Sequence, residues 1–114
     1  YTFVCAPSFA QKAAVTALKL DTTDKLNAYR RKRDLVYNGL VDLGFNVTKP
    51  GGAFYIFPEA PDNDGDAFVK KAIENNLLII PGSVFSEKKT NLRISFAATD
   101  DTIQRGLEVL KKIR

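Results

Sequence analysis

One arginine stands in the middle of a run whose apolar residues alternate, Asn91-Leu92-Arg93-Ile94-Ser95-Phe96. The period of two places Leu92, Ile94 and Phe96 on one face of a strand and Arg93 with Ser95 on the other. A guanidinium presented from a strand, with small neighbours instead of other long charges, offers a planar fork of donors suited to a carboxylate. Pattern alone also permits an ordinary surface arginine. Other chemistry is scarce: the chain has no His, so nucleophiles activated by His and zinc sites built on His are excluded, and its one Cys cannot form an internal disulfide. Lys, Tyr and carboxylates are what remain. Gly51-Gly52 is followed by no helix, so it reads as a turn and not as a phosphate cradle. Phe54, just after it, reads either as a strand core residue or as a ring that reaches a ligand.

The elements that must hold Arg93 follow from pattern and punctuation. Pro7 or Ser8 opens an Ala-rich helix to about Leu20. Thr22 or Thr23 caps a second, ending near Gly44, with Leu26, Tyr29, Val36, Leu40 and Leu43 as its apolar stripe. Asn46 to Thr48 and Ala53 to Phe57 read as a hairpin joined by Pro-Gly-Gly. Asp66 to Asn75 forms a third helix with Phe68, Ala72 and Ile73 inward, and Leu77 to Ile80 a buried strand stopped by Pro81-Gly82. After a loop through Thr90 comes the Arg93 strand. A last helix starts at Thr99 or Asp100, with acidic residues at its positive end, basic residues at its negative end, and Ile103, Leu107, Leu110 and Ile113 inward. This order predicts one domain over residues 1–114: an α/β two-layer sandwich, a small mixed or antiparallel sheet with helices mainly on one face. The other face of the sheet is where Arg93 would sit.

Composition sets the class. Hydrophobic residues at 45% and charged residues at 26% are globular proportions, and 114 residues suit a single core. No apolar run reaches the ~20 residues that span a bilayer. The opening Tyr1-Thr2-Phe3-Val4-Cys5-Ala6 lacks an initiator Met and a basic leader, and reads as a cut inside a longer chain. A single Cys suits a reducing cytoplasm. The net charge of +4 lies largely in Arg30-Arg31-Lys32-Arg33. These four residues point in nearly all directions around a helix, which favours a solvated or paired face over a nucleic-acid patch.

Three segments taken together, Lys49-Pro50-Gly51-Gly52-Ala53-Phe54-Tyr55-Ile56-Phe57-Pro58, Pro81-Gly82-Ser83-Val84-Phe85 and Asn91 to Phe96, resemble the C-terminal small domain of fold-type I, class I/II pyridoxal-phosphate aminotransferases of the aspartate/aromatic type. Gln11-Lys12-Ala13-Ala14 and Tyr29 to Asp34 extend the likeness over nearly the whole chain. The resemblance implies that Arg93 salt-bridges the α-carboxylate of an amino-acid or 2-oxo-acid substrate and that Phe54 lies close to it. It implies pyridoxal 5'-phosphate as cofactor, held with its lysine by a large domain outside these residues, so no catalytic, cofactor-binding or metal residue is assigned here. It further implies a cytoplasmic homodimer, with neither nucleic acid nor membrane as partner. Ser86-Glu87-Lys88-Lys89-Thr90 departs from the glycine-containing loops of such relatives. A lyase or regulator of the same fold, or a free-standing basic binding module, remains open at this level.

Overall fold

The computed structural model describes residues 5–114; the opening Tyr1 to Val4, read above as part of a cut end, lies outside the described residues. Among the described residues four helices are formed, α1 (Ser8–Ala17), α2 (Thr23–Asp42), α3 (Gly65–Glu74) and α4 (Asp100–Ile113), with three short strands, β1 (Tyr55–Ile56), β2 (Ile80–Pro81) and β3 (Leu92–Ser95). The strands form one antiparallel sheet in the order β1-β3-β2, pairing Tyr55 with Ser95 and Ile80 with Arg93. Arg93 is therefore on the central strand.

Local chemistry sets the helix ends. Asp64 Oδ1 accepts from the Ala67 N–H at 2.9 Å, and Thr99 Oγ1 accepts from the Thr102 N–H at 3.2 Å, each satisfying a donor that a first turn leaves free. Asp100 and Asp101 open α4 and Lys111 and Lys112 close it, matching the helix dipole. Leu40, Val36, Phe68, Ala72, Ile103 and Leu110 from α2, α3 and α4 share one core with Ile56, Leu92 and Phe96 from the sheet region. The two-layer α/β arrangement follows: helices cover one face, and the sheet's other face carries Arg93.

Several expectations are corrected. Asn46 to Thr48 forms no strand and no hairpin with β1. Lys49 is drawn to Asp34 of α2 at 2.9 Å and the Pro50 carbonyl lies 3.4 Å from Arg33 Nη1, so this segment follows the helix layer while β3 takes the pairing edge of β1. Leu77 to Ile80 is not a buried strand along its length. Asn76 leaves α3 at φ 58° and the Leu77 N–H still bonds Ala72 of the helix, so Leu78 is 85% exposed and only Ile80 enters the sheet, followed there by Pro81. Ile73 points outward instead of inward, and Val69 takes its place in the core. In α2 the expected stripe is buried only in its second half: Val36 and Leu40 are inside, Leu26 and Tyr29 about half exposed. The helix α1 stops at Ala17, where the final turns tighten to Lys19 N–H on Thr16 O and Leu20 N–H on Ala17 O, and it buries no residue in the core.

Candidate functional site

The Arg93 guanidinium lies between two aromatic faces, its central carbon 3.8 Å from the Phe85 ring centre and 4.5 Å from that of Tyr55. Such stacking is attractive, worth ~0.5–2 kcal/mol per ring, and it holds the guanidinium plane while leaving its edge donors free. Among the described residues Arg93 forms no ion pair; the three salt bridges found join Arg33 and Lys49 to Asp34, and Arg105 to Asp101. A cation with its faces packed and its edge unpaired is arranged to receive a planar anion.

Each wall comes from a different part of the chain. Tyr55 opposes Ser95 in the β1–β3 ladder, so it is the diagonal neighbour of Arg93 on the same face of the sheet. Phe85 arrives from the opposite side, at the end of the 3-10 turn Gly82–Val84, where its N–H bonds the Gly82 carbonyl at 2.9 Å. That turn requires glycine. A Cβ on Gly82 would stand 2.6 Å from the Lys88 carbonyl oxygen and 2.9 Å from the Phe57 ring.

Phe54 is not one of the two rings stacked on the guanidinium. Its ring packs on Tyr55, with centres 4.2 Å apart and planes inclined by 45°, and the residue is 41% exposed, so it is not a core residue either. The structure brings Arg93, Tyr55 and Phe85 together, with Phe54 one ring further out. Residue types and spacing gave Tyr55 and Phe85 no role. The period of two could have put Tyr55 on the same face as Arg93 once the register was known; Phe85 has no such signal, since it reaches the site from a loop.

A polar cleft of about 350 Å³ shares the Tyr55 wall and is lined also by Asn46, Thr48, Glu59, Lys88 and Asn91. Neither Arg93 nor Phe85 is part of its lining. A separate apolar cleft of about 200 Å³, lined by Val36, Leu77, Ile79 and Leu107 among others, has no charged residue in its lining and offers nothing to a carboxylate. No group of three or more His, Cys, Asp or Glu that could hold a metal ion occurs among the described residues.

The basic tetrad is largely engaged within the fold. Arg30 Nη1 donates to Asn27 Oδ1 at 3.1 Å, Lys32 Nζ donates to the Ala98 carbonyl, and Arg33 pairs with Asp34 at 2.8 Å. Hydrogen bonds from Arg33 and then from Lys49 hold the Asp34 carboxyl below its ordinary range. A depressed folded-state pKa stabilises the fold above the unfolded value, and that contribution is lost as pH falls through the folded value. Asp34→Asn is therefore expected to lower stability above about pH 4 and to narrow its difference from the unsubstituted chain in more acid solution. Urea midpoints measured from pH 7 down to pH 2 check this; a difference that stays constant or widens toward low pH would contradict it. The effect is small because Asp34 remains in contact with water.

Comparison with known proteins identifies the family. The family model described as aminotransferase class I and II matches residues 1–110. A probable aspartate aminotransferase of Methanocaldococcus jannaschii is 42% identical over 99% of this chain, and an aspartate aminotransferase of Sulfolobus acidocaldarius 33% identical over 93%. The chain spans only about 31% and 30% of the lengths of these two relatives. Among solved structures, an amino transferase from Eubacterium rectale superposes with a TM-score of 0.86 at 37% identity, covering 97% of this chain and 27% of that one. An aspartate aminotransferase from Thermotoga maritima also reaches 0.86, at 28% identity over 95% of this chain and 28% of its own. The fold, the family match and these relatives agree, and the chain belongs to the class I and II aminotransferase family.

Proposed function

We propose that this chain is the substrate-carboxylate domain of an aspartate aminotransferase-like enzyme that moves an amino group between an α-amino acid and a 2-oxo acid. The observation that carries the reading is the Arg93 guanidinium, stacked between Phe85 and Tyr55 and without an acidic partner among the described residues. Its edge would take the α-carboxylate through two parallel charge-assisted hydrogen bonds. Both the amino acid and the 2-oxo acid carry that carboxylate beside the reacting carbon, so one clamp serves both directions of transfer. Fixing the carboxylate also fixes the direction of the bonds at Cα, which is a positioning contribution and not a covalent one. The rings exclude water from the guanidinium faces and so strengthen the contact at its edge. Phe54, packed on Tyr55, is proposed as the second substrate-side residue, bordering the carboxylate from outside.

Pyridoxal 5'-phosphate, when bound, supplies the electron sink for transamination. Two lysines of this chain are engaged elsewhere: Lys49 is ion-paired to Asp34 and Lys32 is bonded to the Ala98 carbonyl, both holding α2 against its neighbours. We assign its lysine and phosphate contacts to a large domain of a longer protein, and no residue of this chain to covalent or proton-transfer work. The same reading makes the whole protein a cytoplasmic homodimer. This reading gives nucleic acid no part, the tetrad being largely engaged within the fold; no helix among the described residues is long and apolar enough to cross a membrane.

The test is to incubate the longer protein, supplied with the cofactor, with pairs of α-amino acids and 2-oxo acids, beginning with aspartate and 2-oxoglutarate. Formation of the new amino acid and the new oxo acid in equal amounts is expected, and no turnover from the 114-residue chain alone. Release of ammonia without amino transfer would make the protein a lyase of this fold. Failure with every pair would leave a regulator or a binding module.

A further inference from the structure

Asn91, two residues before Arg93, is the buried polar side chain among the described residues, at 6% exposure. Its Nδ2 donates to the Phe57 carbonyl at 3.3 Å and its Oδ1 accepts from Thr90 Oγ1 at 3.1 Å. Its own carbonyl accepts from the Gly82 N–H at 2.7 Å. That oxygen is closely enclosed: a Cβ would come within 2.5 Å of it from Gly65 and within 2.8 Å from Gly82. Three segments distant in sequence therefore meet at one residue. Phe57 lies two residues beyond Tyr55, and the Gly82 carbonyl accepts from the N–H groups of Phe85 at 2.9 Å and Ser86 at 3.0 Å. Asn91 is thus bonded through its side chain to the segment that carries Tyr55, and through its backbone to the turn that carries Phe85.

We infer that Asn91 is a positioning residue for Arg93, fixing the Tyr55 and Phe85 walls at the spacing that admits the guanidinium and so setting the plane in which it meets a carboxylate. The β1–β3 ladder accounts for Tyr55, and the β2–β3 ladder, which pairs Pro81 with Leu92, runs on into the Asn91 to Gly82 bond that ties the turn carrying Phe85 to the Arg93 strand; the Asn91 side chain adds the bond to the Phe57 segment. Both amide functions are used, since the donor faces a carbonyl and the acceptor faces a hydroxyl. A carboxylate at this position would lose the donor and set negative charge against the Phe57 oxygen. This inference rests on the carboxylate role proposed for Arg93.

A double-mutant cycle in the longer protein tests it. Asn91→Ala keeps the backbone bond to Gly82 and removes the side-chain bonds to Phe57 and Thr90. It is expected to raise KM for both the amino acid and the 2-oxo acid about tenfold, with kcat changed less than about threefold, because the guanidinium loses its orientation. In an Arg93→Ala background the same change should leave KM unaltered. An equal KM factor in both backgrounds, or lower stability with unchanged KM, would overturn the positioning role while leaving the Arg93 reading intact. No effect of Arg93→Ala itself would overturn both. Should Asn91→Ala fail to fold, Phe85→Leu, at a residue 48% exposed, removes one wall without opening the core. It must raise KM in the wild-type background and not in the Arg93→Ala background; any other pattern rejects the inference.

Discussion

Arg93→Ala in the longer protein is expected to lower kcat/KM by about 10²- to 10⁴-fold, since on the proposed role it would remove two charge-assisted hydrogen bonds worth ~1.5–3 kcal/mol each. Most of the loss is expected as a higher KM, shared by the amino acid and the 2-oxo acid, because the carboxylate is bound in the ground state as well as in the transition state. Part appears in kcat, to the extent that the freed substrate turns its Cα bonds away from the reacting geometry. Arg93→Lys should recover only a fraction: an ammonium keeps the charge but has neither the planar fork nor a flat face to lie between Phe85 and Tyr55. Stability should fall only by what the two ring contacts supply, about 1–4 kcal/mol together, since Arg93 is part-buried and forms no ion pair among the described residues. Steady-state kinetics on both substrates decide the matter, and an unaltered KM for the pair would remove Arg93 from the site.

Phe96→Ala acts in the opposite way, on the fold before the chemistry. Phe96 is 1% exposed and packs in the core cluster immediately after β3, with its N–H on the Phe54 carbonyl at 3.0 Å. The loss of a buried phenylalanine costs ~3–5 kcal/mol, from transfer and from the cavity left behind. Domains carry only ~5–15 kcal/mol of total stability, so this one substitution would consume a large share. A shift of the urea midpoint with an unchanged slope is the expected result. Less than about 1 kcal/mol would mean that the space beside β3 closes without the ring. Any loss of activity in this variant should follow the folded fraction, whereas Arg93→Ala loses activity while folded.

The extent to which the sequence was legible differs by element. Helix α4 was readable because its cap, its charges and its apolar spacing act locally and agree: Thr99 caps it, and Ile103, Leu110 and Ile113 are buried. The alternation in β3 was readable for the same reason, with Leu92 fully buried and Phe96 nearly so. The hairpin before β1 was misread because a Pro-Gly-Gly turn permits pairing without requiring it, and contacts to Asp34 and Arg33 on α2 draw the segment elsewhere. Leu77 to Ile80 looked like a strand by composition. The positive φ at Asn76 and the Leu77 bond back to α3 spend the first two of those residues on leaving the helix.

By itself the sequence determined an α/β chain with its acidic and basic residues at the proper ends of α4, an arginine on the solvent-facing side of a strand, and no His for other chemistry. These are properties of neighbouring residues, and periodicity and capping encode them directly. Only the tertiary structure decided what surrounds that arginine. Tyr55 depends on the β1–β3 register, Phe85 on a turn that glycine alone fits, and Asn91 on the meeting of three distant segments. None of these leaves a mark at short range, because the contacts that fix them join residues whose separation along the chain is set by loops and not by a repeating backbone geometry.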